Sequence, residues 1–570
     1  MGDQYHGQQQ QYGQQQQYGQ QQYGQQQYGQ QQYGQQQYGQ QQYDQQQYNQ
    51  GQQYNQGQWQ QQQQQQPPPP PQNNNGGYDQ GGYNYGPPPA YSYNPPKAND
   101  EKYGFEQAFK IDKPKYNDIW AGILLILVFA GFVAVSVLAL RGYATGLPGK
   151  GISDTNTFSI NSNTLILFAC ALGAAFVLSI AYLGLARTFP KAFIWVTGIL
   201  NLIFGFGTAI YYLYKKNYSA GIVFLIFAVF TAFAFWTWIP RIPFSALMLR
   251  TSIDVSKKYG HVYIVSLVGG LLATALGAWF SATLVGIYVR WEPSPNNPHC
   301  GPNGSNCSQS TVIGLIAFIT FAMYWITEWL KNTIHTIICG VYGAWYFAVH
   351  NFPKDATRSS AKRALTYSFG SIAFGSLIVA IIQFLRQLCS VARQQSGQEG
   401  GIGGFIGMAF FCVLQCLLGI IEWAVEFVNR YAYAHIALYG KKYIAAAKDT
   451  WKMIKDRGID ALVNECLIGP VLSFGALFVG YACALLAYLY LQITNPVYNR
   501  SGGFTPVILA FAFLIGFQIA NIFTTPISSG IETIFVAAGW DPQVMINDHP
   551  ELYQEMVRLY PRVQQVIYDR

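Results

Sequence analysis

Aliphatic side chains are nearly absent from the first hundred residues, and no apolar run occurs among them. That absence excludes a packed N-terminal domain, because burial there cannot offset the ordering entropy of the chain. It also excludes the apolar core of a secretory signal, so this segment is expected to stay in the cytosol. Metal-type spacings of cysteine and histidine are missing, as is any His-Glu-x-x-His run or nucleophile–base motif. Neither a metal, a cofactor nor an enzymatic activity is therefore expected. Charged residues make up only 11% of the 570, and those that occur are unevenly placed.

What is present divides in two. Residues 1–100 repeat a Gln-rich unit closing on Tyr18-Gly19, Tyr23-Gly24, Tyr28-Gly29, Tyr33-Gly34 and Tyr38-Gly39, then pass through Pro67–Pro71 into Gly/Asn/Tyr-rich sequence. This composition predicts a disordered, low-complexity tail, either a plain tether or an assembly element whose tyrosines make transient contacts. A juxtamembrane segment, 101–118, follows. From Ile119 to Val536 apolar blocks of helix-spanning length recur, which predicts an all-α polytopic membrane protein in contact with lipid, its helical bundle covering 119–536 and a cytosolic C-terminal tail covering 537–570.

Ten spans are read: Ile119–Leu140, Thr164–Ala186, Ala192–Leu213, Ala220–Ile239, Val262–Val289, Thr311–Phe347, Leu365–Leu388, Ile402–Ile421, Gly469–Leu491 and Thr505–Thr524. The formal net charge of +8 is better explained by positive-inside bias than by nucleic acid, which is not expected as a partner. With the N-terminus in the cytosol, the inner loops receive Arg187, Lys191, Arg241, Arg250, Lys257, Lys258, Lys354, Arg358, Lys362, Arg363 and a basic run from Arg430 to Arg457. Both termini are then cytosolic. The exception is the region Arg386–Gly401, where Arg386 and Arg393 fall on the outer side; a re-entrant pair of segments there preserves the same parity.

Most of the nine cysteines, among them Cys170, Cys339, Cys412, Cys416 and Cys483, lie in apolar spans and read as small buried hydrophobes. Cys300 and Cys307 instead share a polar outer loop, where two nearby thiols commonly pair. In the same loop Asn303 and Asn306 head Asn-x-Ser acceptor sequences for glycosylation.

Three spans carry polar stripes. In the sixth, Trp325, Glu328, Trp329, Asn332, His335, Thr336 and Cys339 fall within about one third of the helical circumference. An ionisable group at membrane depth is costly, about 2.5–3.5 kcal/mol on insertion scales, and usually faces a bundle interior or a watery path. Two accounts fit Glu328. It pairs with Lys331 or His335 as a tie between helices, or it serves as counter-ion to a cation seated on the indoles of Trp325 and Trp329, each favourable contact contributing about 0.5–2 kcal/mol. His335, with an ordinary pKa near 6.5, is placed to carry a coupled proton. The eighth span continues into Gln415, Gly419, Glu422, Glu426, Asn429 and Tyr433 on one face; Glu422 and Glu426 either mark the cytosolic helix end, paired with Arg430 or another base, or contribute to a pathway. The tenth aligns Gln518, Asn521, Thr525, Ser528, Ser529 and Glu532 around Pro526, which frees the carbonyl of Ile522. Such a break lines a substrate site in many transporters and serves ordinary packing in others.

Several blocks carry a resemblance: Phe105-Glu-Gln-Ala-Phe109-Lys-Ile-Asp-Lys-Pro114-Lys-Tyr-Asn-Asp118, Phe369-Gly-Ser-Ile-Ala-Phe-Gly-Ser-Leu-Ile-Val-Ala-Ile-Ile-Gln383, Asn429-Arg-Tyr-Ala-Tyr433, Leu438-Tyr-Gly-Lys-Lys442 and Glu532-Thr-Ile-Phe535. Together they resemble the choline transporter-like family, in particular its fungal "pH nine sensitive" branch. The resemblance implies a ten-span plasma-membrane protein with both termini inside and, by analogy with animal members, transport of choline or a related amine. It breaks at the loop Arg141 to Asn163, short and free of cysteine, where animal relatives carry a long disulfide-bonded ectodomain. The resulting expectation is a transporter of a small solute, choline or another organic cation, with a non-transporting scaffold that recruits partners through the tail as the alternative. The pathway candidates are Trp325, Glu328, Trp329, Asn332, His335, Glu422, Glu426, Gln518, Asn521 and Thr525.

Overall fold

In a computed structural model the described residues are 114–146, 162–293, 307–399, 401–457, 468–496 and 505–561, with 108, 109, 300, 466, 499, 563 and 564. The Gln-rich tail lies outside them, as do Asn303 and Asn306. Among the described residues ten helices are long and apolar enough to cross a membrane. In chain order the helices are α1 (Ile119–Gly146), α2 (Ser162–Thr188), α3 (Pro190–Tyr214), α4 (Tyr218–Trp238), α5 (Ile242–Lys258), α6 (His261–Trp291), α7 (Gln309–Phe347), α8 (Ala356–Leu365), α9 (Phe369–Glu399), α10 (Gly401–Tyr439), α11 (Tyr443–Arg457), α12 (Ile468–Thr494), α13 (Thr505–Trp540), α14 (Pro542–Asp548) and α15 (Pro550–Leu559).

Three helices set the architecture. α7 and α10 each run 39 residues and α13 runs 36, so at 1.5 Å per residue they reach ~54–58 Å, against a hydrocarbon core of ~30 Å. The sixth span therefore meets its excess length by continuing past the apolar layer without a break. Sequence reading ended the eighth span at Ile421 and the tenth at Thr524. Both helices continue, to Tyr439 and Trp540, because their final thirds bury side chains against protein. There they join α5, α14 and α15 in the largest buried cluster, which contains Met248, Tyr342, Tyr346, Leu438, Phe535 and Met556.

The seventh span begins at Phe369, and Leu365 ends a separate short helix. Arg363 in that helix is buried, donates to the Ala437 carbonyl at 3.1 Å and lies 4.5 Å from the ring centroid of Phe109, which fixes α8 flat against the end of α10. α9 and α10, at 31 and 39 residues, are each long enough to cross fully, and Gly401 turns between them at φ +70°. Arg386, placed from sequence on the outer side at the end of the seventh span, lies well inside α9, where the Glu422 carboxylate on α10 pairs with it.

The entrance to α1 is pinned from two sides. The amide of Asn117 donates to Gly440 O at 2.8 Å, while the Asp118 carboxylate accepts from Ser371 Oγ at 2.7 Å and the Tyr443 N–H at 2.9 Å. A Cβ at Gly370 would strike the carbonyls of Asn117 and Asp118, so only glycine permits this approach. By contrast, α3 and α4 expose Ile199, Ile203, Phe204, Ile222, Phe227 and Phe230, the surface that lipid solvates at the edge of a bundle.

Candidate functional site

Where α6, α7, α10, α12 and α13 meet, they line a half-open cavity of about 720 Å³. α7 supplies Glu328, Lys331, Asn332 and His335; α13 supplies Gln518, Asn521, Thr525, Ser529 and Glu532; α10 supplies Phe427, Arg430 and Tyr431. α6 passes close behind because its wall is Gly269 and Gly270, where a Cβ would meet Ile334 and Ile522.

Two charged clusters face this space. In the first, Lys331 Nζ lies 3.1 and 3.2 Å from the Glu328 oxygens and 3.1 Å from Glu426 Oε1, and Gln383 Nε2 on α9 donates to Glu328 at 3.3 Å. Glu328 thus pairs with Lys331, one of the two arrangements expected from sequence. The second cluster surrounds His335. Its Nε2 lies 2.9 Å from the Arg430 carbonyl, which can only accept, so Nε2 carries the hydrogen. Nδ1 is then the acceptor in the neutral ring, at 2.8 Å from Ser529 Oγ, with Glu532 Oε2 3.6 Å away. A proton added to this ring goes to Nδ1, directly beside a carboxylate. Arg430 Nη1 closes the cluster at 3.9 Å from Glu532.

Beneath these charges Asn332 donates to Ser376 Oγ at 2.9 Å and to Tyr433 OH at 3.3 Å, tying α7 to α9 and α10. On α13 the Thr525 hydroxyl bonds back to the Asn521 carbonyl at 2.7 Å. Such back-bonding, one residue ahead of Pro526, satisfies hydroxyls within the helix. Just past the proline, Ser252 of α5 donates to Ile527 O at 2.9 Å and so braces the locally weakened helix.

Six of the ten pathway candidates border the cavity: Glu328, Asn332, His335, Gln518, Asn521 and Thr525. Four do not. Trp325 has no exposed surface and its indole donates to the Ala373 carbonyl at 2.9 Å. Trp329 packs edge-on against Phe369, ring centroids 5.4 Å apart. A stripe one third of a circumference wide spans two neighbours, so its tryptophan edge packs on α9 while its carboxylate edge faces the void. Glu422 is held by Arg386, and Glu426 stands behind Lys331 as its second acceptor. Lys331, Arg430 and Glu532 are the functional groups that sequence reading undervalued. Arg430 was counted as a loop cation, and only its place four residues past the stripe member Glu426 signalled a continuing helix face.

Away from the cavity, Cys300 and Cys307 form a disulfide with Cα atoms 5.3 Å apart. It closes the connection between α6 and α7.

Residues 222–543, more than half the chain, match the family described as plasma-membrane choline transporter. The chain belongs to the choline transporter-like family. Among curated relatives, Protein PNS1 of Gibberella zeae is 71% identical over 485 residues, covering 85% of this chain and 88% of that protein. Protein pns1 of Aspergillus fumigatus is 58% identical, covering 86% and 92%. Protein PNS1 of Saccharomyces cerevisiae is 39% identical, covering 83% and 89%. The family match runs from α4 through the first residues of α14 and so takes in every wall of the cavity. A multi-pass helical membrane protein of a transporter family is thereby established.

Proposed function

We propose that this family member carries a small organic cation, choline or a protonated amine, across the plasma membrane through the cavity between α7, α10 and α13. The supporting observation is the charge at that cavity. Glu328 and Glu532 line it against two permanent cations, Lys331 and Arg430, and Glu426, just behind the wall as the second acceptor of Lys331, brings one negative charge in excess while His335 is neutral. A volume of about 720 Å³ lies within the ~300–1,000 Å³ usual for small-molecule sites. Its lining from five helices also suits a pathway that opens by helix rearrangement.

Orientation belongs to the same reading. Arg187 and Arg250 both reach Asp254 on α5, Lys191 borders the same pocket as Arg250, and Lys257 and Lys258 end that helix, a gathering of basic residues that supports cytosolic termini. The loop holding the disulfide then faces outward, with Asn303 and Asn306 as glycan acceptors and residues 1–100 as a cytosolic tail. Uptake of labelled choline or methylamine into proteoliposomes tests the assignment. Glu328→Gln is expected to lower uptake at least 100-fold with the protein still folded, and uptake equal to wild type removes the site.

A further inference from the structure

The ammonium of Lys331 is bound as a ligand would be. Its three N–H donors meet three carboxylate oxygens at 3.1–3.2 Å, two from Glu328 on its own helix and one from Glu426 on α10, so its hydrogen-bonding capacity is filled. The acceptors are recessed, with Glu328 10% and Glu426 27% exposed, whereas the lysine side chain is 59% exposed and borders the cavity. Glu328 has independent support, because Gln383 from α9 donates to it. The carboxylates are thus fixed by the scaffold while the cation sits on a flexible four-carbon stem.

Resting on the cation-transport reading above, we propose that Lys331 is a tethered competitor that occupies the solute's cation position, and that a solute binds by exchanging with it at the Glu328–Glu426 pair. Exchange leaves the site with the same local charge balance, since one ammonium replaces another between two carboxylates and the lysine head moves into the cavity. Neither indole offers a face to the cavity, Trp325 being spent on Ala373 O and Trp329 on Phe369. Recognition at this pair therefore runs through N–H donors, which favours a primary ammonium over a quaternary one. A lysine held in this way keeps affinity low enough for release, and it fills the carboxylate pair when the cavity is empty.

Binding of methylammonium and tetramethylammonium to the purified full-length protein, measured by calorimetry, tests the exchange. Lys331→Gln and the shape-preserving Lys331→Met are both expected to tighten methylammonium at least tenfold, with a smaller gain for tetramethylammonium. Lys331→Arg, which restores a tethered cation, is expected to return affinity to near the wild-type value. A gain in affinity is not produced by general damage to the fold. If wild type binds methylammonium and Glu328→Gln abolishes it, while Lys331→Gln and Lys331→Met leave it unchanged or weaker, the exchange is overturned and the cation site stands. Equal gains for the two probes retain the tether but overturn the donor preference. No binding to wild type or to either Lys331 variant overturns both the exchange and the transport reading.

Discussion

At the scale of single residues, close backbone approach and buried charge decide most. Gly370 is the clearest case, because the atoms that would meet its Cβ are the carbonyl groups of Asn117 and Asp118, which have no rotamer to yield. Gly370→Ala should destabilise the protein by roughly 1–3 kcal/mol, as overpacking does elsewhere; a melting temperature equal to wild type contradicts this. Glu328 and His335 were legible as candidates, since an ionisable group inside an apolar span announces itself by its cost. Their partners were not legible to the same degree. Lys331 is three residues from Glu328 and was readily paired with it, but Glu426, 95 residues beyond Lys331, and Gln383 enter only through the packing of α10 and α9. The tryptophans misled for a related reason: a helical wheel gives the angle of a side chain and says nothing of which neighbour occupies that angle.

Among elements, the short C-terminal helices act as a latch on the long ones. Asp541, at the start of α14, accepts from Tyr439 OH at 2.8 Å through its carboxylate and from Tyr346 OH at 2.9 Å through its carbonyl. His549, between α14 and α15, donates from Nε2 to the Tyr346 carbonyl at 3.0 Å and lies against the rings of Trp345 and Tyr346. Burial pushes the His549 pKa down, opposed by the Tyr346 carbonyl and the Asp548 carboxylate and assisted by nearby His350. A base held neutral in the folded state loses nothing above its ordinary range near 6.5; below that range the unfolded form gains protons first, so the latch weakens as pH falls. Amide-exchange protection of residues 541–559, taken relative to the intrinsic rate at each pH, should therefore fall between pH 7.5 and 5.5. His549→Gln keeps a donor without the titration and should flatten that profile; an unchanged profile in the variant refutes the assignment. The phenol of Tyr443, pushed up to about 12 by burial, stays protonated across this range and keeps its 2.6 Å bond to Asn429.

Helix existence was legible at this scale and helix ends were not. Hydropathy marks where lipid touches a helix, and all ten spans were found where apolar runs are longest. α10 and α13 continue as helix where their partners become other helices, so polar residues such as Asn429, Thr533 and Glu532 no longer signal an end. The same effect hid α8, whose Arg363 reads as a loop charge yet is buried.

For the whole molecule, the disulfide gives the most direct test of orientation. A chain-entropy estimate for so short a loop, seven residues in separation, gives about 2.5 kcal/mol. Cys300→Ser with Cys307→Ser should lower thermal stability by about that amount without abolishing folding. In intact cells, a membrane-impermeant reductant followed by an impermeant maleimide should label the two thiols of the natural chain; labelling only after permeabilisation would reverse the assigned orientation. A further consequence follows from the length of α7, α10 and α13. Each is ~25 Å longer than the apolar layer is thick, and the ion-paired groups stand near the middle of α7 but in the last third of α10 and α13. α7 is therefore a lever about Glu328, and a tilt of about 5° there displaces its far end, 19 residues on, by ~2 Å. A solute that tilts α7 on exchanging at Glu328 would thus be felt at the contacts of Asp541 and His549, which grip the far ends of α7 and α10.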